Sequence, residues 1–407
     1  MIDPFNFLLH CNRLAARKSA QAELLREALS EDFEALVYPA IAVARAERGP
    51  IGLILHSILC DHPNPVLCMT LGDSIPVETI VLREFALEVL HQKLRVLATL
   101  FDADPVMTSI REILADVPRF ELPPNLSISL LGGNPSLKPG IDAPTISDLH
   151  LRSLALARTL VDLGTWHQSL GNHEASVGAI QKAERVLRPV FESDQTYLGF
   201  YSEVLNSLGA AHFDAGNPGL ARELAVRVGQ LNADTKRGEC AECREAVAVA
   251  GLLLSKVLAD SNHLPDALCF AESVVKDFMV FYKSDPGRFE HQLPDVMANY
   301  VTILRRSGFY KRASLLAQES VQTVNNLVPY SADAFLPQYG KALGSMSESF
   351  VITGDLSSAM KAAGVSVVIF EELNSLRPGV FGINYCLSLI QLALASALFG
   401  IFEVFCG

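Results

Sequence analysis

Gly308-Phe309-Tyr310-Lys311-Arg312-Ala313 decides the fold, because the chain repeats its pattern five times. The counterparts are Gly171-Asn172-His173-Glu174-Ala175-Ser176, Gly216-Asn217-Pro218-Gly219-Leu220-Ala221, Asn262-His263-Leu264-Pro265-Asp266-Ala267 and Gly354-Asp355-Leu356-Ser357-Ser358-Ala359. The first residue is Gly or Asn, the sixth is Ala or Ser, and successive first residues stand 45, 46, 46 and 46 positions apart. Gly, with Asn as second choice, tolerates the left-handed backbone that ends a helix. Asn172, Asn217 and Asp355 then stand where a side-chain oxygen caps the next helix, and Pro218 falls at a first helical position that needs no N–H. The sixth residue is small so that two helices can approach closely. Four residues later come Ile180, Ala225, Ala271, Ala317 and Ala363, one turn along the same face.

Two more columns keep this register. Seven residues before each turn stand Gly164, Gly209, Ser255, Val301 and Ser347, four of them small. Tyr197, Cys243, Phe289, Phe335 and Phe381 open the first helix of successive repeats, and four of them are aromatic. A turn, a close-approach pair and an aromatic, all on one period, describe a helical hairpin that stacks on its neighbours. The expected fold is all-α: a right-handed α-solenoid of helical hairpins over residues 144–407, with five repeats and a truncated sixth.

Small residues at these offsets around a Gly turn resemble the tetratricopeptide repeat (TPR). Leu163-Gly164 and Leu208-Gly209 match its Leu-Gly pair best. The period of about 46 is a dozen residues longer than the usual 34, which implies longer helices or longer joints. Ala332-Asp333-Ala334-Phe335-Leu336-Pro337 looks like the joint of long-period arrays in fungal and bacterial signalling proteins, where the array commonly accompanies a nucleotide-binding switch or a protease-like domain.

Outside the repeat, residues 1–117 read as an irregular helical region, with helices expected over 11–29, 31–47 and 76–101 and another starting at Asp104-Pro105. Leu82, Phe85, Leu87 and Leu90 recur at helical spacing. Residues 118–143 hold prolines at 118, 123, 124, 135 and 139 and glycines at 132, 133 and 140, and read as a linker. Ile383 to Phe402 carries no charged residue and is long enough to span a membrane. The register competes with that reading, because Phe381 and Gly400 lie 46 beyond Phe335 and Gly354. The segment then reads as helix A of a sixth repeat, cut before its helix B, with an uncapped end open to self-association.

The composition suits a packed intracellular chain. It has 407 residues, 50% of them hydrophobic, and a formal net charge of −12, which repels nucleic acid. Eight scattered cysteines form no disulfide framework, and Met1-Ile2-Asp3-Pro4-Phe5-Asn6-Phe7 carries no signal-peptide pattern, so a cytoplasmic location is expected. Signatures of chemistry are thin. Cys240-Ala241-Glu242-Cys243 lacks a second ligand pair. His56, Cys60, His62 and Cys68 are interrupted by Pro63 and Pro65, so buried thiols and surface histidines are expected rather than a metal site. His173-Glu174 lacks a second His four residues on. Gly132-Gly133-Asn134 is not followed by the Lys-Ser/Thr of a phosphate-binding loop. Trp166, the only tryptophan, reads as core. No enzyme activity, cofactor or metal is expected.

The expected function is a scaffold that holds a protein or peptide along the first helices of the repeats. By analogy with TPR, the groove-facing residues are Arg158, Thr165, Gln168, Asn206, Phe213, Lys256, Thr302, Arg305 and Lys341. Asn206, in Leu205-Asn206-Ser207-Leu208-Gly209, resembles an Asn of long-period arrays that bonds a peptide backbone. Two readings compete: the sensor part of a nucleotide-switch protein whose catalytic domain is absent, and an adaptor anchored in a membrane through residues 383–402.

Overall fold

The computed structural model describes residues 3–16, 19–46, 49–71, 75, 79, 81–102, 108–119, 146–233, 241–290, 292–328, 332–376 and 378–406. Every regular element among them is helical. Seven helices precede the repeats: α1 (Pro4–Ala15), α2 (Ser19–Glu31), α3 (Phe33–Ala46), α4 (Ile51–Asp61), α5 (Pro65–Leu71), α6 (Arg83–Asp102) and α7 (Thr108–Ile113). The repeats follow as α8 (Ile146–Ser169), α9 (His173–Ser193), α10 (Leu198–Asp214), α11 (Pro218–Ala233), α12 (Ala241–Asp260), α13 (Leu264–Ser284), α14 (Pro286–Phe289), α15 (Leu293–Arg306), α16 (Tyr310–Leu327), α17 (Ala332–Thr353), α18 (Leu356–Leu376) and α19 (Pro378–Cys406).

The repeated turns stand where the register puts them. Gly171, Gly216, Gly308 and Gly354 have φ of 77°, 78°, 83° and 85°, and Asn262 has φ 60°; these are the positive-φ residues among those described. Four of the turns close with the paired bonds of a Schellman motif, as in Gly308 N–H to Arg305 C=O at 3.0 Å and Phe309 N–H to Leu304 C=O at 2.9 Å. At the helix start beyond, Asp355 caps α18 by accepting from the Ser358 N–H at 3.1 Å. Asn172 does not cap α9 with its side chain. Its ψ of 65° departs from the extended backbone that aims a capping oxygen at the first amides.

The small columns are interior. Ser176, Ala221, Ala267, Ala313 and Ala359 are all 0% exposed. A Cβ on Gly164 would stand 2.3 Å from Ile180 Cγ1 and 3.1 Å from the Ser176 carbonyl oxygen, so glycine is what lets α8 and α9 meet there. Phe289, Phe335 and Phe381 are buried with Cys243, whereas Tyr197 is only half-buried. The added period lies largely in the helices: α8 has 24 residues, and α13 and α18 have 21 each.

Contacts divide the chain into two units, residues 1–215 and 216–407, with the division at the second repeated turn. In the first unit, α6 packs on α4 and on α8, and α9 packs between α8 and α10. The fully buried Gln92 ties this unit's early helices together. Its Oε1 accepts from the Asn64 N–H at 3.1 Å, and its Nε2 donates to the Leu59 carbonyl at 3.2 Å. Arg83 donates to the Ser169 carbonyl at 3.1 Å, joining α6 to the end of α8. The expected helix over 11–29 is two helices, α1 and α2. The helix expected from 76 starts at Arg83, beyond the Thr79 hydroxyl that accepts from the Leu82 N–H at 3.3 Å. His56, Cys60, His62 and Cys68, read together in the sequence, lie along α4, the turn after it and α5. The linker assigned to 118–143 lies, beyond Pro118 and Arg119, outside the described residues.

In the second unit, α12, α13, α15 and α16 enclose a core that includes Val274, Phe278, Phe289, Met297 and Val301. The short α14 positions Phe289: Pro286 sits at its first turn, and Asp285 accepts from the Arg288 N–H at 3.3 Å. Next, α18 packs against both α17 and α19. The 29-residue α19 is in register as a helix A: Phe381 is buried 6.5 Å from Phe370, and Ser388 Oγ lies 2.9 Å from Ser366 Oγ. Val380–Gly400 within it has a mean hydropathy of 1.6 and is long and apolar enough to cross a membrane.

Candidate functional site

The first helices of the hairpins are joined by polar pairs 43 to 46 residues apart in sequence, one period along the array. In the first unit, Arg158 of α8 pairs with Glu203 of α10, and its guanidinium lies 4.2 Å from the centre of the Phe200 ring. Gln168 donates to the Asp214 carboxylate at the far end of the same two helices. Thr165 bonds its own helix, Oγ1 to the Val161 carbonyl at 3.0 Å. Asn206 is 5% exposed, so little of it is open to a ligand, and Phe213 is half-buried.

The second unit continues the pattern. Arg288 pairs with Glu245 at 2.5 Å, and Asn299 donates to Ser255 Oγ at 2.8 Å. Arg305 pairs with Glu348, which also accepts from Gln391 Nε2 at 2.8 Å, so one carboxylate joins α15, α17 and α19. Thr302 bonds the Ala298 carbonyl of its own helix at 2.9 Å. Lys256 is half-buried, and Lys341 is exposed with no ion pair among the described residues. Of the nine expected residues, Arg158 and Gln168 in the first unit and Arg305 in the second bond a neighbouring first helix. Sequence reasoning passed over the partners Glu203, Asp214, Asn299, Glu348 and Gln391. Their signal is a complementary polar residue one period away on a first helix.

A second feature belongs to the first unit. His91 on α6 and His167 on α8 face each other with ring centres 5.6 Å apart. They line a cavity of about 580 Å³ together with Glu88, Arg95, Asp116 and Lys182. Lys182 donates to both Asp116 oxygens at 2.6 Å, which holds that carboxyl below its ordinary range. Burial pushes both imidazoles below their usual value; Glu88 opposes this at His91, and His91 adds to it at His167.

The sequence clusters do not converge. The exposed Cys60 has its Sγ 3.4 Å from His56 Nε2 on α4, whereas Cys68 is buried against Gln92 Oε1 at 3.4 Å and its thiol is pushed up to about 12. His62 ends α4 at the surface. Cys243 is buried on α12, and Cys240 and Gly132-Gly133-Asn134 lie outside the described residues. Trp166 is core, at 4% exposure.

No family model matches the chain, and no curated protein matches it. Solved structures share its helical-repeat character. A Rap protein complexed with Competence and Sporulation Factor is 16% identical, over 77% of this chain and 89% of that one, with a TM-score of 0.44. A signal-transduction ATPase of the STAND type with a tetratricopeptide repeat sensor, from Pyrococcus horikoshii, is 11% identical over 95% of this chain and 57% of that one, TM-score 0.40. The TPR2AB domain of yeast Sti1 in complex with pHSP90 is 14% identical over 60% and 90%, TM-score 0.23. These superpositions are loose. The hairpins are TPR-like on the evidence of their own turns and close-approach columns.

Proposed function

We propose that this chain of TPR-like repeats is a binding scaffold, and that the first helices of the repeats hold a protein or peptide segment. The observation that carries the reading is the ladder of cross-repeat pairs. Arg158–Glu203, Gln168–Asp214, Arg288–Glu245 and Arg305–Glu348–Gln391 fix neighbouring first helices side by side. A face ordered in this way loses little freedom on binding, so a modest number of contacts suffices. Lys341, exposed and without an ion pair among the described residues, is the cation offered to an acidic or carbonyl-rich segment. The ladder's ionisable groups are engaged in pairing neighbouring helices, which suits binding better than chemistry.

The test is proximity labelling with the full chain, comparing wild type, Lys341→Glu and the double variant Arg305→Glu/Lys341→Glu. Melting curves are recorded in parallel, because Arg305 also holds Glu348. The reading expects proteins that Lys341→Glu loses without a fall in melting temperature, and that the double variant loses more completely. A partner list unchanged in both variants overturns the groove assignment.

A further inference from the structure

The cavity that His91 and His167 line lies where the first repeat departs from the later ones. On α9 it is lined by Ala175, Gly178 and Ala179, with Lys182 one turn on. At the place of Gly178 the later second helices carry Glu223, Cys269, Leu315 and Lys361. At the place of Ala179 three of the four carry Leu224, Phe270 and Leu316. Nothing lies within 4 Å of where a Gly178 Cβ would stand. The small side chains of α9 thus leave room opposite Leu160 and Leu163 of α8 and Leu94 of α6. The remaining wall is the segment after α7, at Asp116 and Val117, which the Lys182–Asp116 pair ties to α9. A volume of about 580 Å³ suits a small organic molecule.

The polar groups of the cavity are unequally engaged. Both acids have partners: Asp116 accepts from Lys182 at both oxygens, and Glu88 accepts from Gln92 Nε2 at 3.0 Å. The two imidazoles have no hydrogen-bond partner among the described residues, and His167 Nδ1 is buried. A buried ring nitrogen normally has a partner. Burial holds both rings neutral at neutral pH, so each keeps one N–H to donate. Arg95, one turn after His91 on α6, brings a positive charge close enough to act on that ring. Among the described residues no three His, Cys, Asp or Glu side chains gather as a metal site, and an imidazole pair falls short of the three protein ligands of even an open zinc site. We infer that the cavity is a binding site for a small organic carboxylate. The aliphatic walls take its chain, and His91 and His167 donate to its carboxylate beside Arg95. The site shares no residue with the ladder of cross-repeat pairs.

The probe is octanoate, titrated calorimetrically into the full chain near neutral pH, with 1-octanol and octylamine as the uncharged and cationic controls. Saturable binding of one octanoate per chain is expected, with both controls weaker by about tenfold or more. Two variants place the ligand. His91→Leu removes a donor and should weaken octanoate about tenfold. Gly178→Leu keeps both imidazoles and puts a side chain into the open space on α9, so it should weaken octanoate as much or more. Its melting temperature should equal or exceed that of wild type, because nothing near Gly178 is displaced. Absence of saturable binding, 1-octanol or octylamine held as tightly as octanoate, or an octanoate affinity unchanged in either variant overturns the inference. A stoichiometric site for Zn²⁺ that His91→Leu abolishes gives the imidazole pair to a metal and also overturns it.

Discussion

Replacing Gly164 by alanine sets two effects of known sign against each other. Alanine in a helix interior is favoured over glycine by about 1 kcal/mol. The new methyl, however, would stand 2.3 Å from Ile180 Cγ1, 2.8 Å from its Cδ1 and 3.1 Å from the Ser176 carbonyl oxygen. The Ile180 side chain is 0% exposed and has little room to retreat, and the carbonyl belongs to the backbone of α9. Overpacking of this kind costs about 1–3 kcal/mol, so the net effect is a loss of up to about 2 kcal/mol. Gly178, on α9 of the same hairpin, is the matched control: nothing lies within 4 Å of its Cβ position, so Gly178→Ala should gain up to about 1 kcal/mol. Ile180→Ala alone should cost about 2–5 kcal/mol. Combined with Gly164→Ala it should cost about 1–2 kcal/mol less than the sum, because the clash is gone and the new methyl fills part of the cavity. Urea unfolding followed by Trp166 fluorescence reads this directly, since the sole tryptophan is buried two residues from Gly164. A Gly164→Ala variant as stabilised as Gly178→Ala, or an additive double variant, would refute the close approach of α8 and α9.

Gly308→Ala should lower stability by about 1 kcal/mol through its φ of 83° alone, since open space surrounds the new methyl, whereas Asn262→Gly should hold or raise the melting temperature. Tyr201→Phe removes the 2.8 Å bond from Tyr201 Oη to Glu184, which is 4% exposed and also accepts from Arg188; a loss of about 1–2 kcal/mol in urea unfolding is expected. His91 and His167 have folded-state pKa values below the ordinary 6.5, so as pH falls through that value the unfolded chain takes up protons first. The urea midpoint should therefore drop between about pH 7.5 and about pH 5.5, and His91→Gln/His167→Gln should flatten that slope.

The repeat was legible because its marks are constraints on the backbone. A residue with positive φ and a residue with no room for a side chain leave few choices of amino acid, so Gly308, Asn262, Ala313 and Gly164 can be recognised without structure. The first unit's early helices carry no such repeated mark. They are held by single contacts such as Gln92 to Asn64 and Asn12 Oδ1 to the Ile51 N–H at 3.2 Å, which periodicity does not signal. The break between α1 and α2 was missed for the same reason. The polar ladder was half legible: Arg158, Gln168 and Arg305 were picked out for their place on a first helix. That they bond to Glu203, Asp214 and Glu348 depends on which residues two neighbouring helices bring opposite each other.

Hydrogen exchange along the full chain tests the 46-residue hairpin register most directly. The account predicts fast-exchanging amides at the five turns beginning at Gly171, Gly216, Asn262, Gly308 and Gly354, each between two protected helices, and protection of Phe381 to Ala395 on α19. Protection running unbroken through any of those turns, or recurring on another period, would contradict it.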